Sequence, residues 1–338
     1  MTDYKAIKGK TVLSLASDLG NAEGEGEIWF NTTSGDFKTI VAAGAWATAE
    51  DYPANLGYMA AGGSVPAGWG AGGYTQASAS VVTCNEYDGT DWTAGGDLNS
   101  ARATRVNAGT QTAALIATGD NYPGTTRKFT ASEEYNGSSW AEGNDYPVAM
   151  SGAAGTGTQT AGLGMGGNSA APADNTTETY EYDGSSWTDT ADLNTGRARF
   201  VSAGTQTAGL ALGGDPNPIE DNSESYDGSS WTEVNNLNSG RSHFGGGGIQ
   251  TDAICFGSQE SPEQKYTETY DGTSWSAAAV MNTSRYACGG IPQGGTAASA
   301  GAAAIGDATA PGMKDDVEEW SFGVTTGPGA MNVKVITD

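Results

Sequence analysis

Asp120, Asp215 and Asp307 each come directly after a glycine that closes a short run of small apolar residues. Carboxylates at equivalent points of a chain can converge on a hard cation such as Ca²⁺ or accept hydrogen bonds from a sugar. Each can equally close its own loop as an Asx turn. Tyr74 holds the matching place earlier in the chain, and Tyr122 and Tyr266 follow the matching points later, where their rings could stack on a glycan. Trp69 could do the same, or pack into a core. Glu220 with Asp221, and Asp315 with Asp316, are adjacent carboxylates of the type glycosidases use, although neighbouring loop acids are ordinarily just solvated. His243 is the only histidine, beside the strand-opening Arg241, and no serine or cysteine partner is implied. Cys84, Cys255 and Cys288 are odd in number and fit no metal spacing, so each reads as a small buried residue in a strand. No glycine loop after a strand is built to hold phosphate. The expectation is a chain that is not an enzyme, with no catalytic residue, no metal centre and no cofactor.

The elements that position these residues come from repetition. The Tyr residues 87, 135, 182, 226 and 270 are each followed five positions later by Trp, at 92, 140, 187, 231 and 275. Upstream of each pair lies a second piece, clearest in "RFVSAGTQTAGLALGG". The pattern inside one unit predicts four short strands, A to D, with the Tyr on C and the Trp opening D. Between them Asp-Gly or Asn-Gly suits a hairpin, because those residues tolerate positive φ. Small residues on strand B are expected to let backbones crowd near an axis. A four-stranded unit at this period matches one blade of a β-propeller.

Trp320 in "VEEWSFG" aligns with the Tyr position, so the last unit lacks its D strand. Trp46 in "AGAWATAEDYP" is a D strand with nothing before it. Joining the two closes the ring and predicts an all-β, six-bladed propeller over 44–322, with seven blades as the alternative. Residues 1–43 read as an anchoring arm and a hairpin, made of "EIWFN" and "FKTIV". Residues 323–338 carry "NVKVITD", an alternating strand expected to pack near that hairpin.

The closing glycines and the Tyr-then-Trp pair resemble kelch repeats, with a shorter Tyr-to-Trp spacing than usual. Together with "AGTQTA", "DLNT/SxR" and the "GEGEIWFNTTSGDFKTI" segment ahead of the ring, they resemble kelch-like arrays in virion proteins of tailed phages, particularly marine ones. The resemblance implies a virion structural or tail-associated protein, assembled in the host cytoplasm. "DGSSW" is also similar to the Asp-box turn of sialidases, a fold element that carries no chemistry.

A feature present in nearly every unit serves packing. Arg102, Arg197, Arg241 and Arg285 recur at one step after "LN" or "MN" and are expected to hold adjacent blades through charge-assisted bonds. Function is expected where the copies differ, in the B–C loops, which place Tyr74, Asp120, Tyr122, Asp215, Glu220, Asp221, Tyr266 and Asp307 on one face. That face is the expected contact with a host surface glycan or receptor. A lectin-like module and, more remotely, a glycan-degrading enzyme are the alternatives. The net charge of −25 speaks against nucleic acid and anionic membranes. The start of the chain is too polar for a signal peptide or membrane span. Lys5, Lys8 and Lys10 mark the arm, with residues 1–43 and the C-terminal strand as the expected contact with other virion proteins.

Overall fold

The computed structural model describes residues 13–15, 28–32, 36–41, 44–103, 106–123, 128–169, 175–215, 219–291, 302–307, 313–321 and 332–335. The chain forms two compact units, Trp46–Ser321, and Met1–Ala45 with Phe322–Asp338. In the smaller unit, Ile28–Asn31 and Asp36–Val41 pair as an antiparallel hairpin, and Asn332–Val335 adds to it antiparallel. Leu13–Leu15 joins the other edge in parallel, a pairing that the sequence did not suggest. Lys5, Lys8 and Lys10 lie outside the described residues.

The larger unit is a six-bladed β-propeller, each blade a four-stranded antiparallel sheet. Blade 1 runs Ala60–Ser64, Ala67–Ala71, Cys84–Tyr87 and Trp92–Ala94. Blade 6 takes Gly289–Ile291, Ala302–Asp307 and Lys314–Ser321 from the end of the ring and Ala45–Thr48 from its start. Trp46 therefore lies on its expected sheet, with its ring 5.5 Å from Trp320. The six A strands, from Ala60, Val106, Ala154, Val201, Gly245 and Gly289, stand against one another in a closed circle. The innermost strand is thus A and not B. The small B-strand residues serve another purpose: at Gly70 and Gly164 they make room for the Tyr52 and Tyr146 rings, which a Cβ would meet at 3.0 and 2.7 Å.

The Tyr–Trp interval is now explained. In blades 1 to 5 the two residues lie opposite each other across the C–D ladder, from Tyr87↔Trp92 to Tyr270↔Trp275. Their rings sit 4.7–5.0 Å apart, a cross-strand aromatic contact. The turn between them is held by its first residue. Asp183 accepts from the Ser185 and Ser186 amides and the Ser185 hydroxyl, which together draw its carboxyl down to about 2. Only the glycine in that turn takes positive φ, as at Gly184 (+89°).

Four blades contain a buried ion pair. Arg102 meets Glu133 at 2.5 Å, Arg197 meets Glu224 at 2.6 Å, Arg285 meets Glu318 at 2.7 Å, and Arg241 pairs with Glu268. Each glutamate also accepts from the amide of the asparagine three residues before the arginine, as Glu224 does from Asn194 at 2.7 Å. The arginine's second nitrogen donates to backbone carbonyls at the B–C end, for example Gly213 and Asn222 from Arg197. Its own carbonyl accepts an amide from the preceding blade, Gly167 in that case. The expected charge-assisted bonds between blades are thus replaced: among the described residues the guanidinium bonds stay within one blade, and the contact between blades runs through the arginine's main-chain carbonyl.

Blades 1 and 3 depart together at every linked position. Leu56 and Met150 replace the arginine, Asn85 and Tyr180 the glutamate, and Pro53 and Pro147 the asparagine. A proline has no amide proton, and here there is no carboxylate to receive one. Tyr52 and Tyr146 replace the leucine, and Gly70 and Gly164 admit their rings. In blade 1 the new polar groups close on themselves, since Tyr52 Oη donates to the Gly70 carbonyl and accepts from Asn85.

Neighbouring blades are laced on the opposite face by the turn glutamine. Gln206 Nε2 donates to the Gly162 and Tyr182 carbonyls of the preceding blade, and Gln111, Gln159 and Gln250 repeat this. All three cysteines are buried, with Cys288 just ahead of a strand and not inside one.

Glu224→Asn alone leaves Arg197 charged and buried, and should cost about 3–5 kcal/mol. Adding Leu193→Tyr, Asn194→Pro, Arg197→Leu and Ala211→Gly installs the blade-1 set and should bring stability back to within about 2 kcal/mol of the parent. Urea unfolding of the two variants checks this. Trp46→Ala, which empties the closing strand of its buried ring, should cost about 3–5 kcal/mol in the same assay.

Candidate functional site

The B–C loops share their face with the links that lead from strand D to the next strand A. Two residues before each A strand the chain enters the left-handed region: Tyr58 (φ 57°), Gly152 (68°), Arg199 (55°), His243 (51°) and Ala287 (53°). The blade-2 equivalent, position 104, lies outside the described residues. In this conformation four of these amides donate to the link of the neighbouring blade. Tyr58 N donates to Ala287 O (2.6 Å), Ala287 N to His243 O (2.6 Å), His243 N to Arg199 O (2.9 Å) and Arg199 N to Gly152 O (2.7 Å). A chain of backbone hydrogen bonds thus runs round the mouth of the central channel.

Left-handed backbone costs a non-glycine residue about 1–2 kcal/mol. Gly152 shows that glycine meets the same geometry without that cost. At 58, 199 and 243 the chain instead carries Tyr, Arg and His. These three side chains border a cavity of about 120 Å³, with Asn107 and Ser202 deeper in the wall.

Several groups there have described partners. Arg199 Nη1 meets Asp215 Oδ2 at 2.6 Å. The Tyr58 ring stands edge-on to Tyr74 (5.5 Å) and to His243 (5.7 Å). Asn107 Nδ2 donates to the Ala61 carbonyl, and Ser202 Oγ to the Gly155 carbonyl. His243 Nδ1 lies 3.1 Å from Ser242 Oγ, which also reaches Glu260 Oε1 at 3.3 Å. A carboxylate only accepts, so the serine proton goes to Glu260 and the serine oxygen accepts from His243 Nδ1–H. Nε2 then carries the lone pair. Burial, with the positive Arg199 second, pulls the imidazole from 6.5 down to about 4, against Asp215 and Glu260.

The residues singled out by sequence divide between mouth and periphery. Tyr74 donates its hydroxyl to Asp120, linking blades 1 and 2. Asp120 and Asp215 also bridge backbone to Ala103 and Ala198 at the D–A links. Both carboxylates therefore reach across to other segments: Asp120 accepts from the Tyr74 hydroxyl of the preceding blade, and Asp215 pairs with Arg199. The side chain of Asp307 lies outside the described residues. No cluster of three metal-binding side chains occurs among the described residues. Glu220 and Asp221 belong to strand C of blade 4, where Asp221 accepts from Asn236 at 3.2 Å. Tyr122 and Tyr266 are 39% and 41% exposed, the two exposed large aromatics of the described residues, and both lie in B–C loops. Trp69 is fully buried.

Sequence reasoning missed the mouth ring. It placed His243 inside strand A, whereas that strand begins at Gly245. The signal was present: counting two residues past each repeat arginine gives Arg199, His243 and Ala287, as varied as the loops. Neither a scan against protein-family models nor a search of curated proteins finds a match to this chain.

His243 binds its proton near pH 4 when folded and near 6.5 when unfolded, so the unfolded chain holds the extra proton between those values. Its contribution is complete above pH 6.5 and falls away as pH drops towards 4. His243→Asn, which tolerates the left-handed backbone, should therefore lose about 3 kcal/mol less than the parent between pH 7 and pH 4. Urea titrations at the two pH values measure the difference.

Proposed function

We propose that this chain is a non-enzymatic virion component of a tailed bacteriophage, a rigid propeller whose B–C face meets the host surface. One observation carries the recognition part of this reading. The same four-stranded sheet is built six times, with turns that recur in most blades on one face and a different loop in every blade on the other. Selection for packing alone gives no reason for that one-sided variation, whereas a fixed frame presenting changeable loops is how recognition surfaces are ordinarily made. The virion assignment rests on the resemblance of the repeats and of the segment ahead of them to phage kelch-like arrays. The smaller unit, made from both chain ends, is the proposed attachment to neighbouring virion proteins.

A second reading, a glycan-binding module, draws on Tyr122 and Tyr266. Exposed tyrosines on loops of the variable face are suited to lie against the apolar face of a sugar ring.

Mass spectrometry of purified particles should detect this chain, with crosslinks from the 1–45 and 322–338 segments to other virion proteins. Its absence from particles would overturn the virion reading. Tyr122→Ser with Tyr266→Ser should leave unfolding within about 0.5 kcal/mol of the parent, while adhesion of the purified protein to host cells falls. Unchanged adhesion would remove the aromatic contact from the proposal.

A further inference from the structure

The C–D turn of blade 2 departs from its counterparts at its first residue. Asp88, Asp183, Asp227 and Asp271 open that turn in blades 1, 3, 4 and 5, each followed by glycine, whereas blade 2 has Asn136-Gly137, the one Asn-Gly step in the chain. The acceptor geometry is shared. Asn136 Oδ1 accepts from the Ser138 and Ser139 amides, both at 3.0 Å, and from the Ser138 hydroxyl at 2.9 Å, with Ser139 Oγ at 3.5 Å. Such donors suit a full negative charge. In blade 3 the equivalent set, the Ser185 hydroxyl first, draws the Asp183 carboxyl down to about 2. Blade 2 offers the same donors to a neutral amide.

The atoms that would react are unengaged. Asn136 Nδ2 and the Gly137 amide make no hydrogen bond among the described residues. Asn136 is exposed, and Gly137, at φ +87°, has no side chain to shield its nitrogen. Bonding Oδ1 to the amides two and three residues on folds the side chain back over the peptide between them, which brings Cγ towards Gly137 N. Attack of that nitrogen on Cγ forms a five-membered imide: a new C–N bond replaces the bond from Cγ to Nδ2, the Gly137 amide proton passes to the departing nitrogen through solvent, and ammonia leaves. Charge that gathers on Oδ1 during the attack falls on the donors that hold a permanent charge in the aspartate turns.

Water then opens the imide, its hydroxyl going to Cγ and its proton to Gly137 N. The sum is asparagine plus water giving aspartate plus ammonia. Opening at the main-chain carbonyl would instead give isoaspartate and lengthen the backbone by one carbon. That extra length has to fit between fixed points, since Asn136 N donates to Ser139 O at 3.2 Å and Tyr135 faces Trp140 across the ladder with rings 4.9 Å apart. The aspartate turns resist the same attack, because their hydrogen bonds keep each carboxyl ionised and an ionised carboxylate is a poor electrophile.

We propose that Asn136 is a self-modifying site, which its own turn converts without an enzyme to the aspartate that the counterparts carry, with isoaspartate disfavoured by the hairpin.

Peptide mapping by mass spectrometry tests this on the full chain, kept folded in mildly alkaline buffer at physiological temperature. Asn136 should convert about tenfold faster or more than any other asparagine, and fragmentation should identify aspartate as the main product. In urea, where the turn is lost, isoaspartate should become the main product. Ser138→Ala, which removes the nearer hydroxyl donor and keeps both amides, should slow conversion of the folded chain about threefold or more. Asn136→Asp should melt within about 2 °C of the parent or above it. An intact Asn136, a rate matched by other asparagines, isoaspartate as the main product of the folded chain, the same product ratio in urea, undiminished conversion in Ser138→Ala, or a larger fall in melting temperature for Asn136→Asp would each overturn the proposal.

Discussion

A guanidinium taken out of water must be answered by a carboxylate, and most of the scaffold follows from that requirement. Arg197 is buried completely, as is Glu224, so neither can be varied alone. The carboxylate has more lone pairs than the arginine uses, and these are taken by the Asn194 and Thr195 amides. The link between blades is thereby fixed onto the C strand of the blade it enters. With the link fixed, the Arg197 carbonyl falls where the Gly167 amide of the previous blade can reach it. One ion pair sets the position of a strand, a link and a neighbouring sheet. Blades 1 and 3 show the same logic from the other side, because losing the arginine releases the glutamate, the asparagine, the leucine and the B-strand residue together. Five positions, distant in sequence, change as one.

Against that invariant frame, the mouth of the channel is the place where the chain accepts strain. The inter-blade chain of N–H···O=C bonds needs left-handed backbone, and glycine would supply it freely. Only Gly152 does so among the five described positions. Ala287 has just a methyl to offer, and its conformation is explained by the backbone bond alone. Tyr58, Arg199 and His243 are different, since their side chains border the same cavity from three separate blades. The propeller thus separates two demands. The Arg–Glu pairs and the aromatic C–D contacts hold the sheets, and the ring of links carries groups that the sheets do not need.

What could be read from the sequence follows from how far each feature depends on distant parts of the chain. The Tyr87–Trp92 offset is local, set by a ladder and a turn only a few residues long, and it recurs, so it was legible. Closure by Trp46 was legible too, because strands can be counted. The recurrence of the arginine was visible, but its partner was not, since Glu133 lies on a strand two turns later and nothing local distinguishes it from Glu134. In the structure Glu133 faces Arg102, while Glu134 faces the other way and takes the Tyr182 hydroxyl of the next blade. The mouth ring was the least legible part. Positive φ at Arg199 or His243 contradicts their own preference and is imposed by the neighbouring blade, and tertiary constraints of that sort leave no local mark. For the same reason Asp120 and Asp215 looked like loop caps when their partners sit on other segments.

The junction where the ring closes is built differently from those inside it. At the described junctions between blades 1 and 5, a glutamine reaches back to two carbonyls of the preceding blade. At the junction of blades 6 and 1, Val65 occupies the glutamine position and packs against the apolar cluster that contains Ile291, Ala303 and Val317. Trp92 donates to the Glu50 carbonyl and meets the Tyr52 ring, a ring contact that Trp187 repeats with Tyr146 in blade 3. The carboxylate contact is kept, with Glu319 beside the Tyr87 hydroxyl, which burial first and then that carboxylate raise above its usual range, and so is the main-chain bond from Tyr58 N to Ala287 O. A bidentate glutamine bridge demands a fixed register, because a shift of one residue strands its donors. Apolar contact has no such requirement and gains free energy over a range of alignments. A seam joining segments from opposite ends of the ring has the longest loop to close and the least local guidance as it forms. Placing the tolerant side-chain contact there and the directional glutamine bridges between sequence neighbours puts each where the chain can satisfy it.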